Sequence, residues 1–275
     1  SADIINNSYN KRQEVLAKKV KRGKILSADG KVLVKTITDK KGNDKRYYPY
    51  NNMFCHVIGR ITNSMTGVEL SQCYPLLTSH ANPLEQLMDN FKGKKKPGDN
   101  VVTTVNYKLQ KTAYDALGSY RGAVVAMEPS TGKILAMVSK PDYNPNTVGK
   151  DWNKLISGGD GNSALLNRAT QGIYPPGSTS KILTAAEYII ENGSKYKNYK
   201  YVCKGTDEFY GNKISCYGGE VHGKVNLNRA FSESCNGAFA NIGLKLNTGS
   251  FKSLCEKFGF NRELSVNFEY KVGQG

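Results

Sequence analysis

The 275-residue sequence contains no apolar run near the ~18 residues that cross a bilayer, and no signal-peptide pattern. Its three histidines (His56, His80, His222) form no His-x-x-x-His pair, and its six cysteines include no Cys-x-x-Cys. Those spacings argue against a metal site and leave no cofactor expected. Acidic residues are scarce, 23 Asp/Glu against 39 Lys/Arg, for a formal charge of +16. The excess is uneven: residues 1–50 hold 13 basic and 5 acidic side chains, and Lys92, Lys94, Lys95 and Lys96 add a second cluster. Such a balance invites a nucleic-acid reading. No helix-turn-helix, zinc-finger or RNP pattern accompanies it, so nucleic acid is excluded as a partner. Outside a cell, the charge suits anionic lipid headgroups and wall polymers, and most of these lysines serve as a solvated surface. No internal repeat is present. The hydrophobic content of 39% is low for a compact globule and fits an extended or irregular portion.

Against this background one segment carries chemistry. Tyr174-Pro-Pro-Gly-Ser-Thr-Ser-Lys-Ile182 puts Ser178 and Lys181 three residues apart, where a proline-stiffened loop enters an apolar helical pattern (Leu183, Ala185, Ala186, Ile189, Ile190). Residues three apart share a helix face, so the Lys181 amine can reach the Ser178 hydroxyl. A serine becomes nucleophilic when a neighbouring base takes its proton, and free N–H groups at a helix start favour negative charge there. Ser-x-x-Lys alone is common; it recurs at Ser8/Lys11 and Ser194/Lys197 in polar stretches with no apolar helix behind them.

A second element is Ser234-Cys235-Asn236, between short apolar-periodic segments (Leu227, Ala230, Phe231; Ala238, Phe239, Ile242). Residues two apart do not share a helix face. Ser234 and Asn236 therefore converge only from a turn between two helices, which Gly237 would permit. Cys235 reads as a small buried filler turned away from the pocket. Cys203 and Cys216 flank a hairpin-like stretch, and an extracytoplasmic setting would permit a disulfide between them; the pairing stays open.

Together these residues resemble the penicillin-recognising serine enzymes, and in particular the monofunctional (class B) penicillin-binding proteins. Arg22-Gly-Lys-Ile-Leu-Ser-Ala-Asp-Gly-Lys-Val-Leu33, Thr66-Gly-Val-Glu69, Gly122-Ala-Val-Val-Ala-Met-Glu-Pro-Ser-Thr-Gly-Lys-Ile-Leu-Ala-Met-Val-Ser139 and Asn167-Arg-Ala169 carry the likeness over nearly the whole chain. One motif of that group, Lys-Thr-Gly or Lys-Ser-Gly, is missing. The resemblance implies that the chain is the front part of a longer enzyme, ending near Val272-Gly-Gln-Gly275 before the third motif. It also implies an N-terminal membrane-anchoring helix outside these residues, with the catalytic domain extracytoplasmic and cell-wall synthesis proteins as partners.

The expected fold class is α+β: a helix–sheet–helix penicillin-binding transpeptidase (serine β-lactamase-like) domain over 99–275, incomplete at its C-terminus. An elongated β-containing pedestal would precede it over 1–98, with the boundary at Lys96-Pro-Gly-Asp99. Strands are expected at Lys24–Leu26, Lys31–Val34, Val57-Ile58 and 100–105, a helix over 107–117, and a hairpin over 122–127 and 133–138. The stretch 139–164 reads as loop, followed by helices near 178–191, 226–234, 237–247 and 251–258.

The implied reaction is acyl transfer on D-Ala-D-Ala stem peptides of peptidoglycan. Ser178 is the nucleophile, neutral Lys181 the general base, Ser234 the proton relay to the leaving D-alanine, and Asn236 the group that orients substrate and lysine. The Ser178 N–H would form half the oxyanion hole, and β-lactams would acylate Ser178. A D,D-carboxypeptidase or β-lactamase passing the acyl group to water, a β-lactam sensor and a scaffold protein are the other readings.

Overall fold

The computed structural model describes residues 11–80, 95–157, 163–264, 266 and 268, with the side chains of 11–14 outside that description. The Lys92 and Lys94 part of the basic cluster and the Val272–Gly275 ending lie outside the described residues. Two compact packing units divide the chain, the first running to Gly172 and the second beginning at Ile173.

The first unit opens with α1 (Lys11–Lys19), β1 (Val20–Lys21), β2 (Ile25–Leu26), β3 (Val32–Thr38) and β4 (Asp44–Tyr47). Short helices α2 (Cys55–Ile58), α3 (Gly67–Ser71) and α4 (Cys73–Leu76) follow, then β5 (Lys96–Pro97) and β6 (Val101–Val102). Strands β4-β3-β2-β6 make one sheet, with β2 antiparallel to β3 and parallel to β6. Its core joins Ile25, Leu33, Val34, Tyr48, Phe54, Ile58 and Leu76 to Val105.

The boundary expected at 98 is therefore not where packing divides. Residues 101–105 complete the sheet and core of the segment before them, and Thr103 N–H donates to Leu26 O at 2.9 Å. Two strand expectations also fail. Val57-Ile58 is the end of a helical turn whose Cys55, His56 and Ile58 are buried. Only Val101–Val102 of 100–105 pairs as a strand.

Beyond β6 the unit matches expectation more closely. Asn106 caps α5 (Tyr107–Leu117) by accepting from Leu109 N–H, and β7 (Gly122–Met127) pairs antiparallel with β8 (Ile134–Lys140). Between them sits Gln110, wholly buried. Its amide nitrogen donates to Met53 O (2.9 Å) and Met137 O (2.8 Å), and its oxygen accepts from Met137 N–H (2.8 Å). One side chain thus supplies a strand-like partner for Met137. Gln110→Leu would keep the volume and strand those backbone groups, at about 1–3 kcal/mol each. A loss of at least ~2 kcal/mol in urea unfolding is expected.

The stretch read as loop holds α6 (Val148–Ile156). Val148, Trp152 and Leu155 are spaced for one helix face and pack with Cys55 and Tyr143. Abundant Gly, Asn and Asp around this short stripe hid it.

The second unit begins with the 3-10 turn Gly177–Ser180, which runs directly into α7 (Lys181–Asn192). Next come β9 (Tyr201–Cys203), the hairpin β10 (Thr206–Phe209) and β11 (Asn212–Ser215), and β12 (Gly223–Val225), which pairs antiparallel with β9. Helices α8 (Leu227–Ser232), α9 (Asn236–Gly243) and α10 (Thr248–Lys257) complete it. Asn226 and Asn247 cap α8 and α10 through their side chains. The core gathers Tyr188, Tyr199, Val225, Leu227, Phe239 and Ile242 with the three cysteines 203, 216 and 235. The apolar run of α7 is only partly buried: Leu183 and Ala185 face inward, whereas Ile182, Ile189 and Ile190 are exposed. Among the described residues, no helix is long and apolar enough to cross a membrane.

Candidate active site

Lys181 is the first residue of α7, one 3-10 turn after Ser178. In a 3-10 turn residues three apart eclipse each other, which stacks the amine above the hydroxyl. Nζ of Lys181 lies 3.3 Å from Ser178 Oγ. The second motif comes from the link between α8 and α9. Ser234 there takes a left-handed backbone, φ +52°, a conformation uncommon for a side-chain-bearing residue and concentrated at functional sites. That single kink lets Ser234 and Asn236 aim at one point.

The four expected residues meet. Lys181 Nζ donates to Ser234 O at 2.6 Å, and lies 2.9 Å from Ser234 Oγ and 2.5 Å from Asn236 Oδ1. Ser234 Oγ is 2.9 Å from Ser178 Oγ. Asn236 Nδ2 donates to Ser215 O at 2.8 Å, which fixes the amide flip that presents Oδ1 to the lysine. A cleft of about 230 Å³ opens over these groups, bordered by Ser178, Ser234 and Asn236 and by Tyr217, Glu220 and Glu233.

Electrostatics follow from depth. The Lys181 side chain is buried and its nitrogen sits 5.7 Å from the Phe239 ring centroid. Burial pushes its pKa below the ordinary lysine value, opposed by the Cys216 and Cys235 thiols. Ser178 and Ser234 are exposed to the cleft, so a reactant can reach both hydroxyls.

Two expectations about the turn need correcting. Gly237 does not make it; the left-handed residue is Ser234, and Gly237 lies inside α9. A Cβ there would stand 2.6 Å from Asp207 Oδ2 and 3.0 Å from Tyr201 Oη, so its bareness lets the β9–β10 segment approach. Cys235 is wholly buried and is more than filler: its sulfur accepts from Ala238 N–H at 3.4 Å and caps α9. Cys203 and Cys216 are free thiols with sulfurs 3.7 Å apart, not a disulfide.

A further group went unseen in the sequence. Cys203, Cys216, His222 and Cys235 bring four buried donor atoms within 4.8 Å of one another. Spacing searches look for ligands within one or two turns, and these come from strand ends, a loop and a helix cap. The only legible signal was the abundance of cysteine in a stretch also holding the rare histidine.

Residues 122–274 match the model of the penicillin-binding protein transpeptidase domain. The peptidoglycan D,D-transpeptidase PbpA of Mycolicibacterium smegmatis is 35% identical over 260 residues, which is 87% of this chain and 52% of that protein. This chain thus spans about half the length of the curated relatives it matches. Among solved structures, a D,D-transpeptidase domain from Eggerthella lenta superposes with a TM-score of 0.80 at 28% identity, covering 94% of this chain and 58% of that one. The imipenem acyl-enzyme complex of penicillin-binding protein A from Mycobacterium tuberculosis gives a TM-score of 0.77 at 32% identity, covering 89% and 60%. By sequence and by fold alike, the chain belongs to the penicillin-binding protein transpeptidase family.

Proposed function

We propose that this chain carries the acylation centre of a peptidoglycan D,D-transpeptidase, which cross-links D-Ala-D-Ala stem peptides and is acylated by β-lactams. The observation that carries the reading is the pair of contacts on one hydroxyl: Lys181 Nζ at 3.3 Å and Ser234 Oγ at 2.9 Å from Ser178 Oγ. A neutral lysine amine has two N–H donors and one lone pair. Ser234 O and Asn236 Oδ1, at 2.6 and 2.5 Å, take the two donors, so the lone pair is left for the Ser178 proton. Burial favours that neutral form.

The step then runs in order. Ser178 Oγ bonds to the carbonyl carbon of the penultimate D-alanine as its proton passes to Lys181 Nζ. The tetrahedral intermediate collapses, the C–N bond breaks, and the leaving amine of D-alanine takes a proton through Ser234 Oγ, 2.9 Å from the lysine nitrogen. An amine of a neighbouring stem peptide next attacks the ester, releases Ser178 and completes the cross-link. In a β-lactam the leaving amine stays tethered in the opened ring, and the ester persists.

The N-terminal part of the first unit serves as a pedestal that docks cell-wall synthesis proteins. The centre works outside the cytoplasm, on a protein anchored in the membrane. The test is the mass of the peptide containing Ser178 after the native protein, taken from extracts of its own cells, meets penicillin G. An added mass equal to one intact penicillin on Ser178 supports the reading. An adduct on another residue, or none, defeats it.

A further inference from the structure

We infer that Tyr217 and Glu220 form a lip of the cleft that binds a primary ammonium group of a stem peptide. This lip presupposes the transpeptidase reading above and deepens it. The chain carries a formal charge of +16, yet among the described residues the cleft is bordered by Glu220 and Glu233 and by no lysine or arginine. Such an inversion of sign at a cleft mouth draws cations in and turns anions away. The terminal carboxylate of the donor peptide is therefore disfavoured on this side, and an amine, charged near neutral pH, is favoured.

The two carboxylates are not equal. Oε1 of Glu233 already receives Arg229 Nε at 2.8 Å, and its Oε2 is buried with no hydrogen-bond partner among the described residues. Glu220 is open to a ligand. Its side chain is 70% exposed, and His222 Nε2 stays 3.8 Å from its Oε2, beyond hydrogen-bond reach. Three residues before it, Tyr217 is 95% exposed on the same border. A packed aromatic side chain buries ~150–250 Å², and here the ring stands in water at the edge of a reactive cleft. A ring face and a carboxylate are the pair a primary ammonium takes, one by cation–π attraction and the other by a charge-assisted hydrogen bond.

The lip is built rather than loose. Gly218 and Gly219 both take left-handed backbone, φ +61° and +74°. Gly219 N–H donates to Cys216 O at 2.9 Å, and Glu220 N–H to Tyr217 O at 3.1 Å. The turn is held at both sides by the buried Cys216 and His222. Gly205 packs so closely that a Cβ there would stand 2.3 Å from Gly219 O.

Capture and attack are separate events. The held ammonium first gives one proton to solvent. Its nitrogen then bonds to the acyl carbon, the C–O bond to Ser178 breaks, and a second N–H proton returns to Ser178 Oγ. A carboxylate that stabilises the ammonium raises occupancy without speeding this attack, so its signature lies in the KM for the amine rather than in kcat. Donor and acceptor stem peptides both carry such an amine, and the experiment separates the two sources.

The native protein is given an N-acyl-D-alanyl thioester without an amine as donor. The acceptor is either an amine-bearing stem peptide or hydroxylamine, which is uncharged at neutral pH. Glu220→Gln is expected to lower the preference for the ammonium acceptor over hydroxylamine about 2- to 5-fold, through KM, the size of one exposed charge pair or cation–π contact. Tyr217→Ala should act alike, the double variant should lose about 5- to 20-fold, and Tyr217→Phe, which keeps the ring face, should restore most of the preference. A donor bearing the amine, set against its N-acetylated form, identifies the source: a KM rise for that charged donor alone assigns the lip to the donor's ammonium. A double variant with wild-type preference and wild-type donor KM, an equal loss with hydroxylamine, or a loss produced by Glu233→Gln and not by Glu220→Gln would each overturn the lip. Acylation of wild-type Ser178 by penicillin G is read separately, so failure of the lip is distinguishable from failure of the transpeptidase reading.

Discussion

Replacing Lys181 with alanine is expected to slow acylation of Ser178 by a β-lactam about 10²–10⁴-fold, the range a positioned general base supplies. The amine is within 3.3 Å of the nucleophile, and no other amine, imidazole or carboxylate hydrogen-bonds to the Ser178 hydroxyl among the described residues. Ser234 remains in the variant, but a hydroxyl holding a hydrogen bond is not a proton sink. The pH profile separates base from mere spacer. A general base works when neutral, so wild-type acylation should climb tenfold per pH unit up to the lysine pKa and then level off. Burial lowers that pKa, so the plateau begins below the ordinary lysine value of 10.5. The alanine variant should lose the rising limb. The sign for stability runs the same way: across the window between the lowered folded value and 10.5, the unfolded chain binds the proton and the folded chain does not. Stability from this group is complete above that window and falls as pH drops through it. A stopped-flow acylation series from pH 6 to 10 decides the matter, and a variant within threefold of wild type would remove Lys181 from the role of base.

What could be read from the sequence follows the range of the interactions. Ser178 and Lys181 are three residues apart, and the helix at 107–117 announces itself through its periodic apolar face; both are local patterns. The Ser234–Asn236 turn was legible as a break between two short helices, although the residue that bends proved to be the serine and not the glycine. Long-range partners left no periodic trace. Cys203 and Cys235 are 32 positions apart and meet Cys216 and His222 only through a hairpin and a capped helix. The division at 98 failed for the same reason: Val101 and Val102 pair with Ile25 and Leu26, and nothing local to a two-residue strand says so. The helix at 148–156 was lost to composition, since four apolar residues among Gly, Lys, Asp and Asn weigh less in a window than Val148, Trp152 and Leu155 do in a core.

Glu69→Ala is expected to destabilise the first unit by about 3–5 kcal/mol, the cost of leaving buried charge without its partner. Arg22 and Glu69 belong to the two sequence segments most like family signatures in the N-terminal half, and the fold joins them. The carboxylate is wholly buried. Oε2 receives Arg22 Nε at 2.8 Å, and Oε1 receives Arg46 Nε at 2.9 Å and the Tyr48 hydroxyl at 3.3 Å. Burial and the Glu69 charge push the Tyr48 hydroxyl well above its ordinary range, so it stays a donor. Arg22 and Arg46 side chains are 10% and 3% exposed, and removing Glu69 leaves two desolvated guanidiniums side by side. With folded domains stable by only about 5–15 kcal/mol, that loss should be visible as a large drop in the urea midpoint. Glu69→Gln keeps acceptor and shape but loses the charge, and should fall between. The contrast that identifies the cause is a triple replacement of Arg22, Arg46 and Glu69 by apolar residues of similar volume. Removing every charge at once removes the desolvation debt together with the attraction, so the triple variant should lose far less than Glu69→Ala alone. If the triple variant is the less stable of the two, the network holds the unit through its contacts to Gly23 O and Thr36 Oγ1, at 2.7 and 3.0 Å from Arg46 Nη1, rather than through charge balance.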